Sequence, residues 1–281
     1  MRFKLGCCLT YEVTAPSATF LLNIQPAELP QQRLLGEHIA ITGDPERAAY
    51  TMPESGNRYL RFTAGQGPLT VDYTAEVELE PLRADPARVP EVPTAELPFE
   101  VLPHLYPSRY CQGDRLPRAA SADFGQLDPG HLRVTAICNW IHEQIEYRRG
   151  TSDEHTSACD TLIDRAGVCR DFAHLGIALC RALGIPARYA SAYAWRLDPP
   201  DFHGVFEAWL GGRWWWFDPT RQAALDGLVR IGVGRDAADV AFATVHAGSA
   251  KPTDMAVWIE HAEDLDEPYQ PTVQAISTSE R

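Results

Sequence analysis

The chain has 281 residues, of which 45% are hydrophobic and 22% are charged, and its formal net charge is −13 at pH 7. A chain of this length can bury a substantial core and has room for two domains. The negative charge and the absence of a Lys/Arg cluster argue against nucleic acid or an anionic membrane as a partner, and no stretch approaches the roughly 18–20 apolar residues of a membrane-spanning helix.

The N-terminus and the cysteine content bear on the cellular compartment. The apolar run in Met1–Leu9 is too short for a signal peptide and is followed by Tyr11 and Glu12. Seven cysteines are an odd number, without the dense spacing of a secreted disulfide scaffold. The sequence therefore predicts a cytoplasmic protein with free thiols, and it does not indicate an oligomeric state.

Residues 1–80 have the pattern of β-structure. The clearest strand is Leu69–Leu79, in which apolar and polar residues alternate so that one face is buried and the other is wet. Shorter candidate strands, separated by Pro, Gly and Asn turns, are Phe3–Tyr11, Thr19–Ile24, Leu34–Ile41 and Tyr59–Thr63. This spacing predicts an N-terminal antiparallel β-sandwich domain over residues 1–80. Cys7 and Cys8 would point to opposite faces of a strand, where packing is the expected role.

Residues 81–107 are rich in proline and predict a semi-rigid, extended connection between two domains. The seven prolines are Pro81, Pro86, Pro90, Pro93, Pro98, Pro103 and Pro107. The apolar residues between them are expected to dock on a neighbouring surface; these are Phe99, Val101, Leu102, Leu105 and Tyr106.

A second domain is predicted over residues 108–262, and its first part is helical. Asp128 and Pro129 resemble an N-cap followed by proline, which predicts a helix reaching about Tyr147. Ser157 and Asp160 resemble a capping box and predict a second, short helix. Apolar residues at helical spacing predict a third helix over Asp171–Leu183.

Cys169 lies where the third of these helices begins. Unpaired N–H groups and the helix dipole favour negative charge at such a position. This environment can lower the pKa of a thiol from about 8.5 into the range of roughly 3.5–7.5. Cys169 is therefore a candidate nucleophile, whereas Cys138, Cys159 and Cys180 lie within helical patterns and are expected to be buried.

The following strands supply a base and an orienting group. They are predicted at Arg188–Trp195, Asp201–Leu210, Arg213–Asp218 and Leu228–Val233, with a last strand at Met255–Glu260 and a frayed C-terminal tail over residues 263–281. Gly211 and Gly212 predict a tight hairpin that pairs Leu210 with Arg213. In that register His203 and Asp218 are diagonal neighbours within side-chain reach. Helices followed by antiparallel strands predict the α+β class.

The segments Gly167-Val168-Cys169-Arg170-Asp171 and Phe217-Asp218-Pro219-Thr220, with His203 between them, resemble the transglutaminase-like superfamily of papain-like cysteine enzymes. The resemblance covers roughly residues 106–239 and is strongest to the bacterial transglutaminase-like cysteine proteases. It implies a papain-like transglutaminase core, with helices packed on an antiparallel sheet. It also implies that Cys169 is the nucleophile, His203 the general base and acid, and Asp218 the residue that orients the imidazole.

The resemblance further implies acyl transfer on a protein or peptide amide through a thioester, with the N–H of Cys169 as one oxyanion donor. Trp140 and Tyr147 are the candidates for the second donor. Hydrolysis is preferred because water needs no second binding site, and cross-linking by protein-glutamine gamma-glutamyl transfer and a non-catalytic protein-binding module remain alternatives. No cofactor is predicted.

Several other residues could have functional roles, but a structural role is the first expectation for each. Five residues are of the right types for zinc, but none forms a compact ligand spacing; they are His155, Cys159, Cys169, His174 and His203. No ordered acidic loop for calcium is present. The segment Gly234-Arg235-Asp236 is expected to fix a loop beside the cleft. Trp209, Trp214, Trp215 and Trp216 are expected to divide between the core and the wall of the cleft.

Overall fold

The computed structural model of the chain describes residues 1–263 and 272–279, and within them it shows two main antiparallel sheets and four α-helices. The strands are β1 (Arg2–Leu22), β2 (Gln32–Ile41), β3 (Arg47–Thr51), β4 (Arg58–Leu79), β5 (Leu82–Ala84), β6 (Glu146–Tyr147), β7 (Ala166–Gly167), β8 (Ala187–Ala194), β9 (Phe202–Leu210), β10 (Arg213–Phe217), β11 (Leu228–Gly234), β12 (Ala243–Ala247), β13 (Ala250–His261) and β14 (Ala275–Ser277). The helices are α1 (Pro117–Phe124), α2 (His131–Gln144), α3 (Ala158–Asp164) and α4 (Cys169–Ala182). The predicted α+β class is confirmed.

The N-terminal region is a six-stranded sheet whose two longest strands each replace a pair of predicted ones. Its order is β12-β1-β4-β2, with β13 also paired to β1 and β3 to β4. The pairing of β1 with β4 shifts between Val13 and Ser17. The rings of Tyr11 and Phe20 are 5.1 Å apart, although nine residues of straight strand would span about 30 Å. The sheet is therefore bent back on itself and encloses its own core.

Two strands of this sheet come from the far end of the chain. β13 pairs with β1 from Phe3 to Val13, and β12 pairs with β1 from Thr19 to Leu22. The predicted strand at Met255–Glu260 exists within β13, but it belongs to the N-terminal sheet and not to the four-stranded sheet of the 108–262 region. The two regions also share a core, because Tyr193 and Val229 of the four-stranded sheet pack among the apolar side chains of β1.

The four-stranded sheet, in the order β10-β9-β8-β11, carries the helices on one face. Phe172 and Leu175 of α4 pack with Phe206 and Ala208 of β9 in the largest helical cluster. Each of these four side chains is at most 1% exposed. α4 is buried on all sides from Asp171 to Arg181, so it forms the centre of the helical core and packs against β9.

The helix boundaries differ from the prediction at two places. α2 begins at His131, because Gly130 donates its N–H to Glu91 and His131 donates its N–H to the carbonyl of Val89, so the preceding residues are held by the connecting segment. α1, which starts with Pro117, was not predicted. α3 follows Ser157 as predicted, and its Asp160 carboxylate accepts the Ser157 N–H at 2.9 Å.

The proline-rich connection is docked along most of its length. It forms three short 3-10 helices, and Leu97 and Val101 are buried against Trp209 and Trp214. The expected docking of Phe99 and Tyr106 is wrong, because these side chains are 87% and 60% exposed. The prolines set the turns of the segment, while Leu97 and Val101 supply the burial that holds it.

The C-terminal tail is not frayed over the part that the structure describes, residues 272–279. β14 pairs with β5, and Ala275, Ile276 and Ser277 are all at most 1% exposed. Ile276 packs with Trp216, whose indole N–H donates to Thr278 at 3.0 Å. The prediction was wrong because Ile276 packs against side chains of the four-stranded sheet, in a cluster that contains no residue of the four α-helices.

Removal of residues 272–281 is expected to lower the free energy of unfolding by about 2–3 kcal/mol. This figure corresponds to the burial of one large aliphatic side chain, Ile276. Urea denaturation followed by tryptophan fluorescence measures the change. A chain lacking only residues 280–281 serves as the control. An unchanged urea midpoint in the longer truncation would show that β14 does not stabilise the sheet.

Candidate active site

Cys169 is the first residue of α4, as the sequence indicates, and it is partly exposed. The helix start is fixed by Asp171, whose carboxylate accepts the N–H of Val168 at 2.9 Å. Gly167 is required here by space, since an added Cβ would lie 2.8 Å from the Cβ of Asp171. The thiol is therefore placed at the N-terminal, positive end of the dipole of α4.

His203 and Asp218 are brought together by the predicted hairpin. β9 and β10 pair Leu210 with Arg213, and both turn glycines have positive φ, 58° at Gly211 and 83° at Gly212. The Nε2 atom of His203 is 2.9 Å from Oδ2 of Asp218. The predicted register and diagonal contact are confirmed, and both side chains are 1% exposed.

Asp218 binds one ring nitrogen of His203, and the other ring nitrogen makes no hydrogen bond within the part of the chain that the structure describes. Thr220 donates both its backbone N–H and its hydroxyl to Oδ1 of Asp218, at 2.9 and 2.6 Å. With the carboxylate fixed in this way, Nε2–H of His203 donates to Oδ2. Nδ1 has no hydrogen-bond partner among the described residues. The same depression of the surface is lined by both His203 and Cys169.

The charge state of the pair follows from these contacts. Burial alone would lower the pKa of His203, but the carboxylate of Asp218 and the thiol of Cys169 raise it to about 10. Burial would raise the pKa of Asp218, yet its contacts with His203 and Thr220 hold that pKa below the ordinary value. These contacts therefore favour the imidazolium form of His203. This ion pair stabilises the fold below the pKa of a free imidazole, and the contribution is lost as the pH rises through about 10.

Asp218→Asn is expected to move the alkaline limb of a pH–activity profile to lower pH, by about 1–3 units. The amide can still accept the ring N–H, but it carries no charge to hold the proton on His203. The measurement is kcat/KM between pH 5 and 11 for both proteins. Thr220→Val, which removes one hydrogen bond and no charge, is the matched control and should shift the limb less.

The surface around Cys169 forms a cleft with two sides. One depression of about 310 Å³ is lined by Cys169 and His203, together with Leu197, Asp198, Pro199, Phe202 and Gln222. A second depression of about 370 Å³ is lined by Cys169 with Gly150, Ser152, Val168 and Arg170. Tyr147, Arg149 and Asp201 line both. Cys169 thus stands between two binding depressions, of which only the first contains His203.

Of the two candidates for a second oxyanion donor, only Tyr147 lies at the cleft. Tyr147 pairs through the backbone with Gly167 and lines both depressions beside Cys169. Burial and the Cys169 thiol raise the pKa of the Tyr147 hydroxyl to about 12, although the backbone amide of Cys169 opposes this rise. Trp140 instead lies against Phe124 and Arg165 and lines neither depression.

One determinant of the site was missed by the sequence analysis. A Cβ at Gly204 would lie 2.3 Å from the hydroxyl of Tyr189 and 3.2 Å from the Cα of Arg170. β9 therefore approaches the N-terminus of α4 more closely than any other residue type would allow. Gly204 directly follows His203, and Arg170 directly follows Cys169. The close approach of these two chain segments therefore places the imidazole of His203 near Cys169. A glycine inside a strand is the signal that indicates such an approach.

His174 and the segment Gly234-Arg235-Asp236 have structural roles outside the cleft. The Nε2 atom of His174 accepts the N–H of Ala237, and its ring stacks on Tyr110. Asp236 accepts the N–H of Tyr110, so the segment Gly234-Arg235-Asp236 fixes a loop against the back of α4, and its residues line neither side of the cleft. Across residues 1–263 and 272–279, no group of three or more His, Cys, Asp or Glu side chains could hold a metal ion.

The four tryptophans of the hairpin all belong to the interior. Trp209, Trp214, Trp215 and Trp216 are between 1% and 7% exposed, and none lines the cleft. The expectation that some would form the cleft wall is wrong, because the helices cover one face of the hairpin and β14 with the proline-rich connection covers the other.

In the described part of the chain no helix has the length and hydropathy to cross a membrane.

Comparisons with known proteins agree with this geometry. Residues 118–219, which include Cys169, His203 and Asp218, match the model of the family described as the transglutaminase-like superfamily. The chain is 31% identical to an uncharacterised protein of Mycobacterium leprae, over 68% of this chain and 72% of that protein. It is 30% identical to an uncharacterised protein of Mycobacterium tuberculosis, over 77% of each.

A solved structure from Cytophaga hutchinsonii, of a protein provisionally named a cysteine protease, superimposes with a TM-score of 0.92. The two sequences are 41% identical, and the match covers 99% of this chain and 97% of that one. The similarity therefore includes the bent N-terminal sheet and the C-terminal strand as well as the cleft.

Proposed function

The chain belongs to the transglutaminase-like superfamily, and from this we propose that it is a cysteine-dependent hydrolase of peptide or protein amides. One observation carries the proposal. Cys169, at a helix N-terminus, shares a depression with His203, whose other ring nitrogen is held by the buried carboxylate of Asp218. A nucleophile, a base and an orienting group in this order are the parts that acyl transfer through a thioester requires.

In the proposed mechanism, the Cys169 thiolate attacks the carbon of the amide and forms a C–S bond, and the carbonyl oxygen becomes an oxyanion. The backbone N–H of Cys169 donates to this oxygen. The imidazolium of His203 gives its proton to the amide nitrogen as the C–N bond breaks, so the amine departs and a thioester remains. His203 then takes a proton from water, whose oxygen attacks the thioester, and the acid product leaves with the thiolate restored.

Tyr147→Phe is expected to lower kcat by about 10²–10³-fold, the usual cost of losing one oxyanion donor, with little change in KM. The reason is that the hydroxyl would contact the oxygen only after the negative charge develops. Steady-state kinetics on a cleaved peptide measures the effect. Trp140→Phe is the control and should retain near-normal kcat, because Trp140 does not line the cleft. An equal loss in both variants would remove Tyr147 from the mechanism.

The proposal is tested by labelling with an electrophilic amide-mimic probe, followed by incubation with peptides. Wild type should be labelled at Cys169, and Cys169→Ala and His203→Ala should not react. Cys138→Ala is the control, since burial raises the pKa of the Cys138 thiol and leaves it unreactive. Equal labelling of all forms would dismiss the nucleophile. Isopeptide products without hydrolysis would replace the hydrolase by a cross-linking transferase.

A further inference from the structure

The two sides of the cleft differ in charge. On the side that contains His203, which we call the leaving-group depression, the charged lining residues besides the catalytic pair are Asp198, Asp201 and Arg149. Asp201 and Arg149 also line the other side. On the opposite side, the charged lining residues besides Cys169 are Arg149, Arg170 and the shared Asp201, and Arg170 is paired with the buried carboxylate of Asp171 at 3.0 Å. The leaving-group depression thus has an excess of negative charge, whereas on the other side the charge of Arg170 is already paired with Asp171.

The proposed mechanism assigns the departing part of the substrate to the first side. His203 must give its proton to the departing nitrogen, so that nitrogen has to lie within reach of the imidazole. Only the leaving-group depression is lined by both Cys169 and His203. The group attached to the departing nitrogen therefore lies next to Asp198 and Asp201.

Asp201 is positioned to bind a cation there. Its Oδ1 accepts the N–H of Phe202 at 2.8 Å, which fixes the carboxylate on the backbone at the start of β9. Its Oδ2 is 3.8 Å from Nη2 of Arg149, and the side chain of Arg149 is 62% exposed. That separation exceeds hydrogen-bond distance. A bound cation can therefore replace the guanidinium with little loss of free energy, because water solvates the displaced, exposed Arg149 side chain.

We propose that the enzyme prefers substrates whose departing amine carries a positive charge, such as a peptide with Lys or Arg directly after the scissile bond, and that Asp201 determines this preference. The inference rests on the proposed function. Asp201 acts as a specificity residue and takes no part in the proton transfers. The net charge of −13 on the whole chain acts in the same direction, because it draws cationic substrates toward the surface.

The first test is a mixture of synthetic peptides of varied sequence, with the cleaved bonds read by mass spectrometry. Lys and Arg are expected directly after the cleaved bond about five- to tenfold more often than Asp and Glu, as one charge–charge contact in a solvated cleft would produce. Asp201→Asn should remove this preference. Asp198→Asn is the matched control and should reduce it less, because the Asp198 side chain is exposed. Cleavage without a charge preference, or release of ammonia alone, would overturn the inference.

The second test separates this inference from the proposed function, because it needs no turnover. The rates at which the cationic 2-aminoethyl and the anionic 2-sulfonatoethyl methanethiosulfonates modify Cys169 are compared by peptide mapping. The cationic reagent should react faster, and Asp201→Asn should reduce the ratio about threefold or more. If no peptide is cleaved but this ratio holds, the charge selectivity stands and the hydrolase proposal fails. Equal rates with both reagents would overturn the selectivity.

Discussion

Replacement of Cys169 with alanine is expected to lower kcat/KM by at least about 10⁴-fold, because the members of a nucleophile–base unit fail together. Without the sulfur no thioester forms, and the imidazolium of His203 has no bond to help break. The folded state should persist, since Cys169 is only partly buried and its side chain belongs to none of the apolar clusters of the described residues. Initial rates on a cleaved peptide, with circular dichroism to monitor folding, measure both effects.

The matched control for this change is Cys180→Ala, eleven positions further along α4. Cys180 is fully buried, and burial raises the pKa of its thiol to a value at which it is not a nucleophile. Cys180→Ala should lower the free energy of unfolding and leave kcat/KM of the folded enzyme unchanged. If Cys169→Ala kept more than a few per cent of the activity, the thioester mechanism would be wrong.

Glu207→Ala is expected to lower the free energy of unfolding by about 3–5 kcal/mol, the usual cost of breaking a buried ion pair from one side. Glu207 is fully buried, its Oε2 accepts Nε of Arg188 at 2.6 Å, and its Oε1 lies 3.7 Å from Nη1 of Arg230. Arg230 is itself 3% exposed, and burial lowers its pKa to about 10. The alanine variant would leave two buried guanidinium groups without their shared carboxylate.

Urea denaturation of two further variants identifies the cause of that loss. Glu207→Gln keeps the shape of the side chain and removes only the charge, so its urea midpoint should fall between those of wild type and the alanine variant. Glu78→Ala breaks ion pairs with Arg2 and Arg33 on the surface, where both arginines are more than half exposed. Its midpoint should change much less. Equal losses for Glu207→Ala and Glu78→Ala would show that burial of the charge is unimportant.

The sequence was most informative where short-range rules determine the structure. The two glycines of the β9–β10 turn fix the register from Leu210 and Arg213 onward, and the diagonal contact between His203 and Asp218 follows from that register. In the same way, Gly167 marks the end of the preceding segment and the apolar repeat marks α4. Together they place Cys169 at a helix N-terminus. The fold class, the contact between His203 and Asp218 and the position of Cys169 on its helix could therefore be predicted from local patterns. That Cys169 lies beside His203 was implied only by the family resemblance.

What could not be predicted depends on contacts between distant parts of the chain. Nothing local in Ala275–Ser277 marks it as a strand, because Ile276 is buried against a sheet whose strands lie some 60 residues earlier and β14 pairs with the distant β5. The sequence pattern predicts two strands where β1 bends, because periodicity does not distinguish a strand that bends from one that ends. The two-sided cleft around Asp201 likewise arises only when three loops meet at Cys169.

The pairing of β1 with β13 sets a constraint on synthesis. β1 is synthesised long before β13, and the strand that completes its edge ends only at His261. Until then a growing chain presents an unpaired edge of β1, which is a template for pairing with other chains. A fragment that stops at residue 80 should therefore self-associate where the full chain does not, and chaperone binding to the nascent protein should concentrate on this exposed edge.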